Sequence, residues 1–328
     1  MPEGPPSEPV TLVVEAGGAH LAHQLALVEG RLRDIAAGAP GPVGDWARET
    51  IAAGGKRLRP LLVLLAADAE PGSGPEEQVV RAGTSVELVH AATLVHDDVL
   101  DAAALRRGRP TVWSTDGRGA AIATGDHLFA RAFSELAAND SAAQVRVLSE
   151  ASSALAAGEL LQRSDAWDAG VSESRYLRRC ELKTARLFEA ACALGELAAG
   201  REPVLGAFGL GIGLAFQLLD DVLDVSGPAE RTGKDRGTDL LDGTVTLPLI
   251  LARAGDPALA SLDLRSITTP AEAAGVCDAI AATGALEEAR RRALELVAEA
   301  KQRLPADLPA RQREALLLVA DGVVERYS

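Results

Sequence analysis

The pentapeptide Asp-Asp-Val-Leu-Asp occurs twice, at 97–101 and at 220–224, each time at the end of a stretch whose apolar residues recur at helical spacing. On a helix, residues i and i+4 share a face and i+1 lies about 100° around it. Asp97 and Asp101 therefore align with Asp98 beside them, and Asp220 and Asp224 align with Asp221 beside them. Both triads fall at a helix C-terminus, where the helix dipole favours cations. Carboxylates this close also repel and raise one another's pKa. A chain that folds this way needs positive charge at both places. With 47 acidic residues among 328, one acidic triple at this spacing arises about once by chance. Two all-Asp triads with the same Val-Leu between them do not.

The remaining sequence predicts helix after helix. Segments 20–37, 61–67, 78–101, 120–138, 141–163, 172–197, 203–225, 285–303 and 309–326 carry helical periodicity. Ser141-x-x-Gln144 and Thr269-Pro270-Ala271-Glu272 are helix-start signals, the latter with Pro at the first helical position. No segment alternates apolar and polar residues in the manner of a strand. Residues 1–18, with their Pro, Gly and Glu, predict a flexible tail, and 19–328 a single all-α domain. The polar, Gly-rich segment 226–244 is the one long loop, and such loops are often functional.

Composition narrows the possibilities. Hydrophobic residues make up 47% and aromatics 3%, so the core is built from aliphatics and Ala, both suited to helices. A formal charge of −14 makes a poor general nucleic-acid binder, because that affinity rests on cations neutralising phosphates. Cys180, Cys192 and Cys277 are too few and too scattered for a disulfide framework or a zinc site and predict buried thiols. The apolar run 203–219 is Gly-rich and short of a membrane span, which predicts a core helix. No signal peptide or membrane anchor is read, and the expected compartment is the cytoplasm.

Hard oxygen donors suit Mg²⁺, which takes one or two carboxylates together with substrate phosphates. The two triads thus predict half-sites facing each other across a helical cavity and clamping Mg²⁺ and a diphosphate. Cations stand beside them. Gly54-Gly55-Lys56-Arg57-Leu58-Arg59-Pro60 places three just before a helix, where glycines and backbone N–H groups admit an anion. Arg106-Arg107-Gly108-Arg109 follows the first triad, Lys183-Thr184 lies within a helix, and Lys234 follows the second triad. His90, two turns before the first triad, is placed to reach the basic cluster. His96 abuts Asp97, within reach of a local hydrogen bond.

With these residues in view the chain resembles the trans-isoprenyl diphosphate synthase (polyprenyl synthetase) family. The motifs are Gly54–Pro60, the helix Glu87–Asp101, Arg106-Arg107-Gly108, Lys183-Thr184, Phe216-Gln217 with Asp220–Asp224, and Gly233–Pro248. The resemblance implies an all-α isoprenoid synthase (prenyltransferase) helical bundle around a central cavity, in a homodimer. It implies condensation of isopentenyl diphosphate with an allylic diphosphate, with Mg²⁺ as cofactor, three ions per active site. Asp97, Asp101 and Asp220 would be the principal metal ligands, assisted by Asp98, Asp221 and Asp224. Arg106, Lys183 and Lys234 would hold the allylic diphosphate, and Lys56, Arg59, His90 and Arg107 that of isopentenyl diphosphate. Thr184 and Gln217 would line the reacting carbons.

One position departs from the family. Many relatives carry a second lysine in the loop where this chain has Thr244. Product length is partly legible by the same resemblance. Ala92 and Thr93, five and four residues before Asp97, stand where a bulky aromatic floors the product tunnel of some relatives. Small residues there imply a product of geranylgeranyl length or longer, with Phe129 and Phe133 as a deeper floor or as ordinary core. Two other readings stay open. A class I terpene cyclase shares the chemistry but usually lacks the second Asp triad and the Gly54–Pro60 motif. A non-catalytic subunit of a heteromeric synthase usually loses one or both triads.

Overall fold

The computed structural model describes residues 8–69, 74–227 and 236–325. The helices in order are α1 (Glu8–Gly17), α2 (Ala19–Ala37), α3 (Val43–Ala52), α4 (Leu58–Ala67), α5 (Glu76–Leu100), α6 (Val112–Ala137), α7 (Ala142–Ser164), α8 (Glu173–Cys180), α9 (Arg186–Ala198) and α10 (Gly206–Ser226). Longer helices follow at Leu247–Gly255, Pro270–Ala282, Ala285–Gln302 and Ala310–Glu325. The only strands among the described residues are β1 (Leu105–Arg106) and β2 (Arg109–Pro110), paired antiparallel. The chain divides into two compact units. The first is Met1–Ser152, Leu187–Gly209 and Leu304–Gly322, and the second is Ser153–Arg186, Leu210–Arg303 and Val323–Ser328.

The first unit is organised around α4. Residues 60–67 of this helix are all buried, so it has no solvent face and its end needs internal partners. They come from far along the chain. Gln312 Nε2 donates to Leu65 O at 2.7 Å, and the Arg201 guanidinium donates to Ala66 O and, at 2.6 Å, to Ala67 O. Helix α9 crosses α4 at Gly195, where a Cβ would lie 2.2 Å from Val63 O. Helices α2 and α5 pack on α4, and α6 packs along α5. In the second unit, helix Leu247–Gly255 packs against Ala285–Gln302, and Gly211 gives close approach to Ala300, 2.9 Å from a built Cβ.

Several expectations need amendment. Residues 8–17 are not a loose tail but helix α1, because the apolar run after Pro9 seats Val13 in the core against α2. Helix α3 has no counterpart in the sequence reading. Helix α4 starts at Leu58, before Pro60 rather than at it, and α6 breaks at Gly117 (φ 85°), so a short helical stretch from Val112, capped by a Thr111–Ser114 box, precedes the helix expected from 120. The Ser141 box is half made: Ser141 Oγ accepts from Gln144 N at 3.4 Å, while the Gln144 side chain accepts from Asn139 at 2.8 Å. The Thr269–Glu272 box is complete. The β-hairpin arises because Arg107 and Gly108 both take positive φ, 54° and 73°, which makes the tight turn that joins two strands.

Helix α10 is long and apolar enough to cross a membrane, but 56% of its apolar window is buried inside the protein. Phe208, Ile212, Ala215, Leu218, Leu219 and Val222 all belong to the core, as expected for the run 203–219. The three cysteines are buried.

Gly195→Ala tests the α4–α9 crossing. The added methyl has no room, and overpacking of this kind costs about 1–3 kcal/mol. The expected result is a lowered thermal midpoint with helix content retained by circular dichroism.

Candidate active site

In the first unit, α5 delivers the first Asp run. Asp97 and Asp101 are half-buried, whereas Asp98 is buried at 6% exposure and accepts from Arg106 Nε at 2.6 Å. The hairpin turn that carries Arg106 is thus tied to the helix end. Arg107 lies against the other basic segment: a Cβ on Gly55 would stand 2.9 Å from its guanidinium. Arg57 takes a left-handed conformation, φ 47°. Its guanidinium bridges Glu29 at 2.5 Å and Glu87 at 2.8 Å. Burial opposes its charge, but Glu87 and Glu29 outweigh that and raise its pKa further. Arg57 therefore fixes the Gly54–Pro60 loop to α5. Arg59 lies over the Phe188 ring at 4.6 Å, a cation–π contact that orients it.

His90 registers the result. Burial, then the charges of Arg59, Arg107, Arg106 and Arg57, hold its pKa well below the ordinary value. The imidazole is neutral at pH 7, with one ring nitrogen donating and the other accepting. Four guanidiniums from two separate segments thus converge near one side chain. A cavity of about 400 Å³ opens beside them, bordered by Leu94, Val95, Asp98, Arg106, Arg107 and Arg109.

The product-length positions lie in the same unit. Ala92 is fully buried, and Thr93 Oγ1 donates to His90 O at 2.8 Å. Phe129 stacks on His96 at 5.9 Å between ring centroids, and Phe133 is half-buried. His96 turns away from Asp97: its Nε2 faces Asp126 at 3.4 Å. Its ring fills the space left by Gly125, 2.2 Å from a built Cβ.

In the second unit, α10 delivers Asp220, Asp221 and Asp224. The same division recurs, with Asp221 buried at 4% exposure and its neighbours half-buried. Asp221 accepts from Tyr176 Oη at 2.7 Å and from Gln217 Nε2 at 2.8 Å. Burial and the charge of Asp239 raise its pKa to about 7, against the pull of Tyr176, Gln217 and Arg179. Asp224 Oδ2 accepts from Asp239 N at 3.2 Å, which anchors the loop after α10. Lys234 lies outside the described residues. Arg179 is buried and donates to Val245 O at 2.6 Å, next to Thr244, itself buried at 9% exposure. Trp167 pins the same stretch, its N–H donating to Gly243 O at 2.8 Å.

Lys183 and Thr184 stand in an unexpected setting. The helix predicted over 172–197 widens to a π-helical turn at Glu181–Ala185 between α8 and α9. Such turns are rare and recur at functional sites. Helix α7 accommodates this one with Gly158, whose Cβ would come within 2.5 Å of Lys183 N. Lys183 Nζ pairs with Glu159 at 2.6 Å, and Thr184 Oγ1 donates to Gln217 Oε1 at 2.5 Å. Burial of Glu159 works to raise its pKa, but Lys183 and Arg163 outweigh that and lower it.

The first unit therefore gathers Asp97, Asp98, Asp101, Arg59, His90, Arg106 and Arg107 into one region, with Lys56 exposed on the loop at its edge. The second gathers Thr184, Gln217 and Asp221 into one hydrogen-bonded chain. Sequence reasoning missed Tyr176, Arg179, Glu159 and Gly158. The one available signal was scarcity, since the chain has only two tyrosines.

The sequence profile described as polyprenyl synthetase matches residues 43–282. Heptaprenyl diphosphate synthase component 2 of Geobacillus stearothermophilus is 40% identical over 272 residues, 81% of this chain and 84% of that protein. Octaprenyl diphosphate synthase of Escherichia coli K12 is 37% identical over 288 residues, 84% and 87% of the two chains. A crystal structure of polyprenyl synthase from Caulobacter crescentus CB15, complexed with calcium and isoprenyl diphosphate, superposes with a TM-score of 0.87 at 36% identity, over 100% of both chains. This chain belongs to the polyprenyl synthetase family, all-α transferases of the isoprenoid synthase fold.

Gly158→Ala is expected to displace the π turn. Its stability cost should resemble that of Gly195→Ala, about 1–3 kcal/mol. Prenyl-transfer turnover at a temperature where both variants remain folded should fall well further for Gly158→Ala. Equal turnover in the two would detach the π turn from the site.

Proposed function

We propose that this chain is a chain-elongating trans-prenyltransferase that joins isopentenyl diphosphate to an allylic diphosphate, head to tail, and releases pyrophosphate. The observation that carries this reading is the meeting of the two basic segments beside the first Asp run, with the Arg107 guanidinium against Gly55 and Arg106 on Asp98. Arg57 is paired with Glu29 and Glu87 and Arg106 with Asp98, and a cluster of this sign suits a polyanion. Membership of the family and relatives named as heptaprenyl, octaprenyl and geranylgeranyl diphosphate synthases support it.

The donor set fits Mg²⁺. It is all oxygen, and in each run the middle aspartate is buried while the outer two are half-buried on one helix face. Asp97, Asp101 and Asp220 would hold the metal, with Asp98, Asp221 and Asp224 assisting. We propose three ions per active site. When bound, Mg²⁺ supplies Lewis-acid neutralisation of the charge on a departing diphosphate.

The chain's own residues do the rest. Arg106, Lys183 and Lys234 hold the allylic diphosphate, which requires Lys183 to loosen its pairing with Glu159. As the allylic C–O bond breaks, the electron pair goes to the diphosphate, and these fixed cations stabilise it. Lys56, Arg59, His90 and Arg107 hold isopentenyl diphosphate so that its alkene faces the cationic carbon. The new C–C bond forms and a proton is lost to pyrophosphate. Thr184 and Gln217 border the reacting carbons. Aliphatic walls exclude water, which would otherwise capture the cation as an alcohol. Thr244 leaves one diphosphate contact to other residues.

The buried Ala92 supports a product of geranylgeranyl length or longer. A homodimer and a cytoplasmic location complete the proposal. The second Asp run and the Gly54–Pro60 loop favour elongation over terpene cyclisation. One observation favours a second reading: two relatives are named component 2 of heptaprenyl diphosphate synthase, so this chain would work with a different partner chain.

The purified chain is to be incubated with Mg²⁺, isopentenyl diphosphate and dimethylallyl, geranyl, farnesyl or geranylgeranyl diphosphate, with mass-spectrometric readout. A ladder of longer diphosphates, abolished by EDTA, is expected. A cyclic hydrocarbon would replace the reading with a cyclase, and no turnover would favour the two-component reading. Asp97→Ala and Asp220→Ala should each cut turnover by orders of magnitude with the helical spectrum intact, and wild-type turnover in either would sink the metal assignment. Ala92→Phe should shorten the product, and an unchanged chain length would reject its role as a tunnel floor.

A further inference from the structure

We propose that Tyr176 is a positioning residue whose hydroxyl fixes the direction of a four-residue hydrogen-bond chain, and so decides which side of the Thr184 hydroxyl meets the substrate. The inference rests on the reading that Thr184 borders the reacting carbons.

The chain runs Thr184, Gln217, Asp221, Tyr176. An amide N–H only donates, so the Gln217 contact to Asp221 is a donation, and the Tyr176 hydroxyl donates to the other carboxyl oxygen. Tyr176 Oη reaches one oxygen at 2.7 Å and Gln217 Nε2 the other at 2.8 Å. That bond orients the Gln217 amide. Its nitrogen faces Asp221, so its oxygen faces Thr184 and accepts from Oγ1 at 2.5 Å. Thr184 has a single hydroxyl proton, now committed to Gln217. Its oxygen can turn only lone pairs toward any other neighbour. Beside a carbon that becomes positive, a lone pair stabilises the charge and a hydroxyl proton opposes it.

Tyr176 is the outer anchor. It is fully buried, so it does not touch substrate. Its ring lies under the Arg179 guanidinium at 5.3 Å, and Arg179 is fixed in turn by Val245 O. Without the Tyr176 hydroxyl, Asp221 keeps one partner and is free to rotate. The Gln217 amide then loses its fixed sense, and the Thr184 proton is no longer committed.

The test uses the full chain with Mg²⁺ and both substrates. Tyr176→Phe keeps the ring and removes the donor. The expected result is a kcat lower by about 10–100-fold, KM for both diphosphates within about 3-fold, and no further loss when the change is made in Thr184→Ala. A merely structural role would lower the thermal midpoint and multiply the rate loss equally in both backgrounds. That result, or a Tyr176→Phe kcat within about 2-fold of the parent, overturns the proposal. A second measurement avoids any folding defect of that variant. Tyr327→Phe leaves Tyr176 as the only tyrosine, and 3-fluorotyrosine labelling then gives a single ¹⁹F resonance. Gln217→Leu should shift it, and an unmoved resonance overturns the proposal. An inert parent chain would instead count against the prenyltransferase reading itself.

Discussion

Burying an aspartate is costly unless protein groups compensate it, and this protein does so twice. Asp98 is compensated by a full positive charge, Arg106, which also ties down the hairpin after α5. Asp221 is compensated by two neutral donors and keeps its pKa near 7. The two Asp runs are identical in sequence over five residues, yet their middle members live in different electrostatic settings. The first is locked as an ion pair, and the second sits in a hydrogen-bonded chain that ends at Thr184. Around each, the outer aspartates keep partial exposure.

Much of the remaining architecture serves to aim side chains that would otherwise repel. Arginines at 57, 59, 106 and 107 are brought together only because Glu29 and Glu87 absorb one of them and Asp98 another. The left-handed backbone at Arg57 and Arg107 and the bare Gly55 are local costs of that convergence. In the second unit the cost is the π turn, which gives up regular helical hydrogen bonding to set Lys183 and Thr184 where they stand.

The all-α class, most helix positions and the paired carboxylates were legible because they rest on periodicity and spacing. The complete Thr269 capping box shows how local such signals are. Other features depend on partners distant in sequence. Tyr176 reads as an ordinary core aromatic until Asp221, 45 residues on, is placed beside it. Gly158 reads as one helical glycine among many until Lys183 is found against it. The hairpin escaped notice because Arg-Gly is a weaker turn signal than Asn-Gly, and helix α1 because one buried valine outweighed its Pro-rich approach.

Helix α4 carries a consequence for how the protein is made. Its last carbonyls are satisfied by Arg201 and Gln312, 134 to 247 residues downstream. During synthesis this largely apolar segment emerges early, yet Arg201 and Gln312, which finish its end, emerge much later. Domains whose contacts span such separations fold slowly and expose apolar surface while they wait. Until α9 and Arg201 emerge, the nascent chain has α2 and α5 to shelter α4, and Gln312 completes the end of that helix last.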